Sequence, residues 1–367
     1  MRGADAGSPL FAPSLFWGLS QDSLWPSTLA WRMEVKLSPG KRKRLEAVSD
    51  SRGVIAALAI DQRDALRKLF SAGLKIEKQA VPRERLEEFK AIVVRALSPH
   101  ASAVLLEPEY GLPAAGQRAS SSGLLMAYEV SGYDPNLPGR IPRLLEGWSV
   151  RRLLDAGAHC IKVLLYYALS DAPEVMDRKR AWVERVSWEC AGLDVPFFLE
   201  IVPYQAGVNE QSPEFARCKP EILMSAMKEF SQPRYCVDVL KVGVPVTMAY
   251  VEGSPSCDGT FVYSRRDALD LFRRAAEATA KPFLFLSAGV SNRVFNEALE
   301  LASQAGVHFC GVLCGRATWK DGVGVFVRGG AEALQKWLES DGVANIRAVN
   351  ASLRHATPWL EKYPANE

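Results

Sequence analysis

Three ionisable side chains stand in runs where an apolar strand ordinarily has none. Lys241 lies in Val237-Asp238-Val239-Leu240-Lys241-Val242-Gly243-Val244-Pro245-Val246, Glu200 in "FFLEIVPY" and Lys162 in "CIKVLLYY". A β-branched run this apolar reads as a strand buried on both faces, as in a parallel sheet. A lysine inside it leaves water, which is costly unless its charge is paired or lost. An uncharged primary amine is a nucleophile toward carbonyl carbon, and a neighbouring carboxylate can move the protons. The competing reading of Lys241 is a lysine at a strand end, its stem buried and its ammonium on loop carbonyls. For the three together it is a buried ion network that only fixes register.

The elements that must hold these groups repeat along the chain. Strand candidates are Val54–Asp61, Ala103–Glu107, Gly123–Tyr128, Cys160–Tyr166, Pro196–Val202, Val237–Gly243, Pro282–Ser287 and Phe309–Cys314. Helical patterns lie at Lys41–Val48, Arg83–Leu97, Val150–Ala156, Pro173–Cys190, Pro213–Phe230, Arg265–Ala278 and Asn292–Ala305, with Ala331–Glu339 and Val343–Arg354 closing the chain. That alternation predicts a single-domain (β/α)8 TIM barrel over residues 35–367. A doubly wound sheet is the runner-up, but no glycine-rich fingerprint follows the first strand. Tyr133–Pro142 and Val251–Asp258, rich in Gly, Pro and Ser, read as surface connections.

Residues 1–34 differ from the rest: Trp17, Trp25 and Trp31 occur among prolines and few charges. Pro9, Pro13 and Pro26 interrupt any secretory apolar segment, and Asp5 follows Arg2. The expectation is a poorly ordered extension upstream of a natural start near Met33.

Composition limits the partners. The 45 basic and 42 acidic residues of the 367 are interspersed, leaving a net charge of +3 and no basic block for nucleic acid or an anionic membrane. Apolar runs are too short to cross a bilayer. Seven scattered cysteines form no CxxC pair, so a reducing cytoplasm and no disulfide framework are expected. Four scattered histidines disfavour a zinc site, and neither metal nor cofactor is expected. A homo-oligomer, with a two-fold dimer first, is the general expectation.

In a barrel, catalytic groups collect at the carboxyl ends of the strands. Adjacent strands lie ~4.8 Å apart, so Lys162, Glu200 and Lys241 can stand side by side with the carboxylate between two amines. The charge of Lys162 would then help keep Lys241 neutral. Asp61, ending "ALAIDQR", adds a carboxylate at the same rim; its alternative is a helix N-cap. Strand 7 ends in Ser287-Ala288-Gly289 and strand 8 in Cys314-Gly315-Arg316. Loops after these two strands commonly hold phosphate, glycine admits the anion to the backbone, and arginine can grip it with two bonds. An amine nucleophile, a proton-carrying carboxylate and a phosphate grip together describe Schiff-base chemistry on a sugar phosphate.

The segments "GVIAALAIDQRDAL", "LLEPEYGLPA", "GLLMAYE", "KVLLYY", "PFFLEIVPY", "VDVLKVGVPVTMAYVEG", "LSAGVSN" and "GVLCGRATW" resemble the class I, metal-free tagatose 1,6-bisphosphate aldolases, in order from about Gly53 to Trp359. The resemblance implies cleavage of D-tagatose 1,6-bisphosphate to glycerone phosphate and D-glyceraldehyde 3-phosphate. It places the Schiff-base lysine on Lys241, the catalytic glutamate on Glu200, the supporting lysine on Lys162 and the strand-1 aspartate on Asp61, beside Gln62. It places phosphate binding on Ser287, Gly289 and Arg316. Gly243 departs from the pattern, where a bulkier or acidic residue is expected. The alternatives are another ketose phosphate (fructose bisphosphate or sulfofructose phosphate) or a barrel that binds sugar phosphate without turnover.

Overall fold

A computed structural model describes residues 37–134 and 136–363; the expected extension at 1–34 lies outside them. Its strands are β1 (Ile55–Ala59), β2 (Ala103–Leu106), β3 (Gly123–Ala127), β4 (Cys160–Tyr167), β5 (Phe197–Pro203), β6 (Val239–Gly243), β7 (Phe283–Leu286) and β8 (Gly311–Cys314). All pair in parallel, each with its sequence neighbour, and β8 returns to β1 to close the barrel. The strands read as unbroken apolar runs because both faces are covered. One face packs inside the barrel, through residues such as Ala57, Leu105, Leu125, Phe198 and Leu284. The other packs beneath the helices, through Leu58, Val104, Val163, Leu199 and Leu240.

The helices are α1 (Pro39–Glu46), α2 (Asp64–Leu74), α3 (Arg83–Leu97), α4 (Leu112–Ala115), α5 (Val150–Asp155), α6 (Pro173–Gly192), α7 (Pro213–Phe230), α8 (Arg265–Glu277), α9 (Asn292–Gln304), α10 (Arg316–Trp319), α11 (Gly322–Trp337) and α12 (Val343–Ser352). Caps fix several starts. Ser212 caps α7 and Ser291 caps α9, while Ser264 and Asp267 close a reciprocal box at α8. α1 lies under the amino-terminal end, where Lys41 pairs with Asp238 at 2.7 Å. Trp359 and Tyr363 close the same floor, with the Tyr363 hydroxyl donating to the Asp238 carbonyl at 2.8 Å.

Two differences from the sequence expectations concern helices. α2 was absent from the periodic patterns, although its apolar Leu66 and Phe70 face the core four residues apart. The helical stretch expected from Ala331 follows another that begins at Gly322, and the two meet at Gly330, whose non-helical backbone at φ 70° kinks the chain between them. A π-type turn at Leu338–Gly342 then links α11 to α12. Among the described residues no helix is long and apolar enough to cross a membrane.

Candidate active site

Side chains alternate along a strand, so inward positions repeat every second residue. Inside the barrel are Ala57 and Ala59 of β1, Leu125 and Ala127 of β3, Cys160 of β4, Phe198 of β5 and Val239 of β6. Continuing each row by two residues reaches Asp61, Glu129, Lys162, Glu200 and Lys241. The apolar interior therefore ends toward the carboxyl side in a layer of charges. Register sets Glu200 directly opposite Lys241, while Lys162 pairs with Phe198.

The layer is a continuous network. One oxygen of Glu200, Oε2, lies 2.7 Å from the Nζ of Lys162 and 2.7 Å from the Nζ of Lys241. Lys162 also reaches Asp61 at 2.9 Å and Glu129 at 2.8 Å. The guanidinium of Arg63 extends the chain to Glu129 at 3.4 Å and to Glu109 at 2.7 Å. Lys162, Lys241, Glu200 and Asp61 are buried, so these charges are tenable only through one another.

The electrostatics separate the two lysines by environment. Burial alone would strip Lys162 of its proton, but Asp61, Glu129 and Glu200 outweigh it and hold the ammonium well above its ordinary pKa. Burial would likewise raise the carboxyls of Glu200 and Asp61, yet Lys162 and Lys241 hold both below their usual range. Lys162 is thus a fixed cation with three carboxylates. Among the described residues Lys241 has one acidic partner, Glu200. The arrangement puts one carboxylate within proton-exchange distance of Lys241, with Lys162 as a fixed positive charge on its other side.

Asp61 is not a helix cap: α2 starts at Asp64, Arg63 occupies the cap position, and Asp61 binds Lys162 instead. Gln62 donates its amide to Asp61 at 3.1 Å, while its Oε1 is buried without a partner among the described residues. Such an acceptor suits a substrate hydroxyl. Gly243, two residues above Lys241, has open space where a Cβ would stand.

The ends of β7 and β8 converge on one arginine. Gly289 adopts φ +84°, and a Cβ there would lie 2.7 Å from Cζ of Arg316. Gly315 lets the chain pass where a Cβ would come 2.3 Å from the carbonyl oxygen of Ala59. Ser287 is buried beside them. Burial pulls the Arg316 pKa down, partly offset by Glu200 and Asp61. Its guanidinium makes no hydrogen bond or ion pair to another described residue, leaving a cation for an anionic ligand to pair with. Gly289→Ala is expected to push this guanidinium aside and raise KM for a phosphorylated substrate about tenfold or more, the value of one lost charge-assisted pair. Steady-state kinetics decide; an unchanged KM would remove Gly289 and Arg316 from the phosphate grip.

Sequence reasoning did not single out Glu129 or Arg63. Glu129 sat within the quoted "GLLMAYE", and counting two residues past the inward Ala127 would have found it. Arg63 was less legible, because it enters the network from beyond a strand end.

A family profile described as "DeoC/LacD family aldolase" matches residues 55–321. The chain is 50% identical over 323 residues to tagatose 1,6-diphosphate aldolase 1 of Enterococcus faecalis, covering 88% of this chain and 97% of that protein. It is 44% identical over 328 residues to tagatose 1,6-diphosphate aldolase of Lactococcus lactis, covering 89% and 99%. Among solved structures, the fructose-bisphosphate aldolase of Plasmodium falciparum superposes with a TM-score of 0.62 at 16% identity, covering 90% of this chain and 98% of that one. The last likeness is one of fold.

Proposed function

The chain belongs to the DeoC/LacD family of aldolases, and from that premise we propose that it cleaves D-tagatose 1,6-bisphosphate through a Schiff base on Lys241. The observation that carries the chemistry is the single Glu200 oxygen lying 2.7 Å from both Lys241 and Lys162. The names of the two bacterial relatives support the substrate.

In the proposed reaction Lys241 passes its proton to Glu200, and the neutral amine attacks the C2 ketone. The carbinolamine loses water as Glu200 returns the proton to the departing hydroxyl. The resulting iminium accepts the electron pair released when C3–C4 breaks. Glu200, directly or through water, takes the C4 hydroxyl proton as the aldehyde forms. Glyceraldehyde 3-phosphate departs, the enamine is protonated at C3, and water hydrolyses the iminium to free glycerone phosphate and Lys241. Lys162 stays protonated throughout and offsets the charge that moves on and off Glu200. Asp61 and Glu129 hold Lys162 in place, Gln62 receives a sugar hydroxyl, and Ser287, Gly289, Gly315 and Arg316 hold the phosphate on C1, next to the carbon that Lys241 attacks.

The test pairs a trap with a substrate panel. Borohydride added with glycerone phosphate is expected to reduce the iminium and leave one secondary-amine adduct, located by peptide mass on Lys241. The tagatose bisphosphate is expected to give the highest kcat/KM, ahead of fructose 1,6-bisphosphate and sulfofructose phosphate. A higher value for either competitor would reassign the substrate, and absence of the adduct would end the Schiff-base reading.

A further inference from the structure

A ketose carrying phosphate at both ends needs two anion sites, and in the reading above the β7–β8 rim is the first. In the closed order β4 stands across the barrel from β8, so the far end of such a substrate points over β3, β4 and β5. There the connection after β3 holds Arg140 against three tyrosine rings, at 4.7 Å from the centroid of Tyr133, 5.6 Å from Tyr166 and 4.3 Å from Tyr204. Tyr166 continues the inward row of Lys162 along β4, which places it between the charged layer and Arg140. Tyr204 is tied to Asp171 and thence to Lys179 at 2.6 Å, so one wall of the cage is braced.

The other cations on this side of the mouth are committed. Lys162 serves three carboxylates, Arg63 lies between Glu109 and Glu129, and Lys179 is buried on Asp171. Arg140 differs: its acidic partner, Glu210 at 2.6 Å, has a side chain 42% exposed. A surface pair of this kind is weak and gives way readily to a stronger anion. The hydroxyls of Tyr133 and Tyr166 make no hydrogen bond to another described residue and are available as donors. Burial keeps the Tyr166 phenol protonated, pushed up to about 12. Gly139 at φ 82° and Arg140 at φ 48° set the turn, and a Cβ on Gly139 would strike Val175 of α6 at 2.1 Å, so the loop is seated closely on the helix. Left-handed backbone at a non-glycine residue costs energy and persists where the surroundings enforce it.

We propose that Arg140, stacked among Tyr133, Tyr166 and Tyr204, binds the phosphate remote from C2, which replaces Glu210 as its counter-ion. Arg140 thereby sets the preference for a bisphosphate over a 1-phosphate. This rests on the aldolase reading above. The guanidinium supplies parallel N–H donors, and the tyrosine faces hold its plane so that little freedom is lost on binding.

The test compares cleavage of tagatose 1,6-bisphosphate and tagatose 1-phosphate by wild type, Arg140→Gln, Arg140→Lys and Glu210→Gln. Arg140→Gln is expected to lower kcat/KM for the bisphosphate about ten- to a hundredfold, through KM, with the 1-phosphate value nearly unchanged. Arg140→Lys keeps the charge without the fork and is expected to recover part of the preference. Glu210→Gln removes the competing carboxylate and is expected to lower KM for the bisphosphate alone; a cage with a purely structural role would raise it for both substrates. Equal losses on the two substrates, or none, would overturn the proposal. Borohydride trapping of glycerone phosphate separates the two readings. Trapping without a substrate-selective loss sinks the assignment of Arg140 only. No trapping in the wild type sinks the aldolase reading and this one with it. Should Arg140→Gln fail to fold, the lysine and Glu210 variants carry the same comparison.

Discussion

Lys241→Ala is expected to reduce kcat/KM for ketose bisphosphate cleavage by on the order of a thousandfold or more, because it removes the covalent route and not merely a contact. The loss should fall on kcat, since the substitution leaves the proposed phosphate grips at Arg316 and Arg140 untouched. Stability should change little by comparison. Glu200 keeps Lys162 at 2.7 Å, so no buried carboxylate is abandoned. The borohydride adduct should vanish with the activity. Retained cleavage, or an adduct that persists on another residue, would mean that the nucleophile lies elsewhere.

Lys162→Met is expected to have the largest effect on stability. Three carboxylates, from Asp61, Glu129 and Glu200, meet on one ammonium that is 1% exposed. Removing one partner of a buried pair typically costs about 3–5 kcal/mol, because the other charge is left uncompensated. The pH dependence follows from the shifts. In the wild type Asp61 and Glu200 titrate below their unfolded values, so their contribution is present above about pH 4 and is lost as pH falls through the folded values. The folded pKa of Lys162 is raised, so its contribution is present below about pH 10 and is lost as pH rises further. In the variant, Asp61 and Glu200 lose the cation that holds them low, burial takes over, and they bind protons at higher pH. The stability gap between the proteins is therefore widest near neutrality and narrows toward pH 4. Urea unfolding at the two pH values measures it. A gap that does not narrow would show that lost packing, and not abandoned charge, explains the destabilisation.

These two expectations also distinguish a working site from a register-fixing ion network. A purely structural network would make both lysine substitutions costly to folding in proportion to their partners. The asymmetry of the geometry, three carboxylates on Lys162 and one on Lys241, leads to the opposite division: Lys162 matters first to stability and Lys241 to chemistry.

Much of this arrangement was readable along the chain because it depends on local pattern. Apolar runs of strand length, alternating with segments of helical period, sufficed for eight parallel strands, and the observed bounds fall within two residues of the expected ones. Lysine or glutamate inside such runs marks an interior that must be polar at that height, which singled out Lys162, Glu200 and Lys241. The helix at Asp64–Leu74 was harder to see because its apolar stripe is short, with only Leu66 and Phe70 buried; the cap alternative for Asp61 implied a helix there without bounds.

What the sequence by itself determined is therefore the kind of fold and the identity of the groups able to do chemistry, since periodicity and burial cost are properties of short stretches. Only the tertiary structure decided which groups meet. Lys162, Glu200 and Lys241 come from three strands, Asp61 and Glu129 from just beyond two others, and the stagger of a closed barrel brings both lysines onto a single Glu200 oxygen. No sequence spacing encodes that meeting, nor the seat of Arg140 among tyrosines from the β3–β4 connection, from β4 itself and from just beyond β5. Ring closure creates both, because it makes neighbours of residues far apart along the chain.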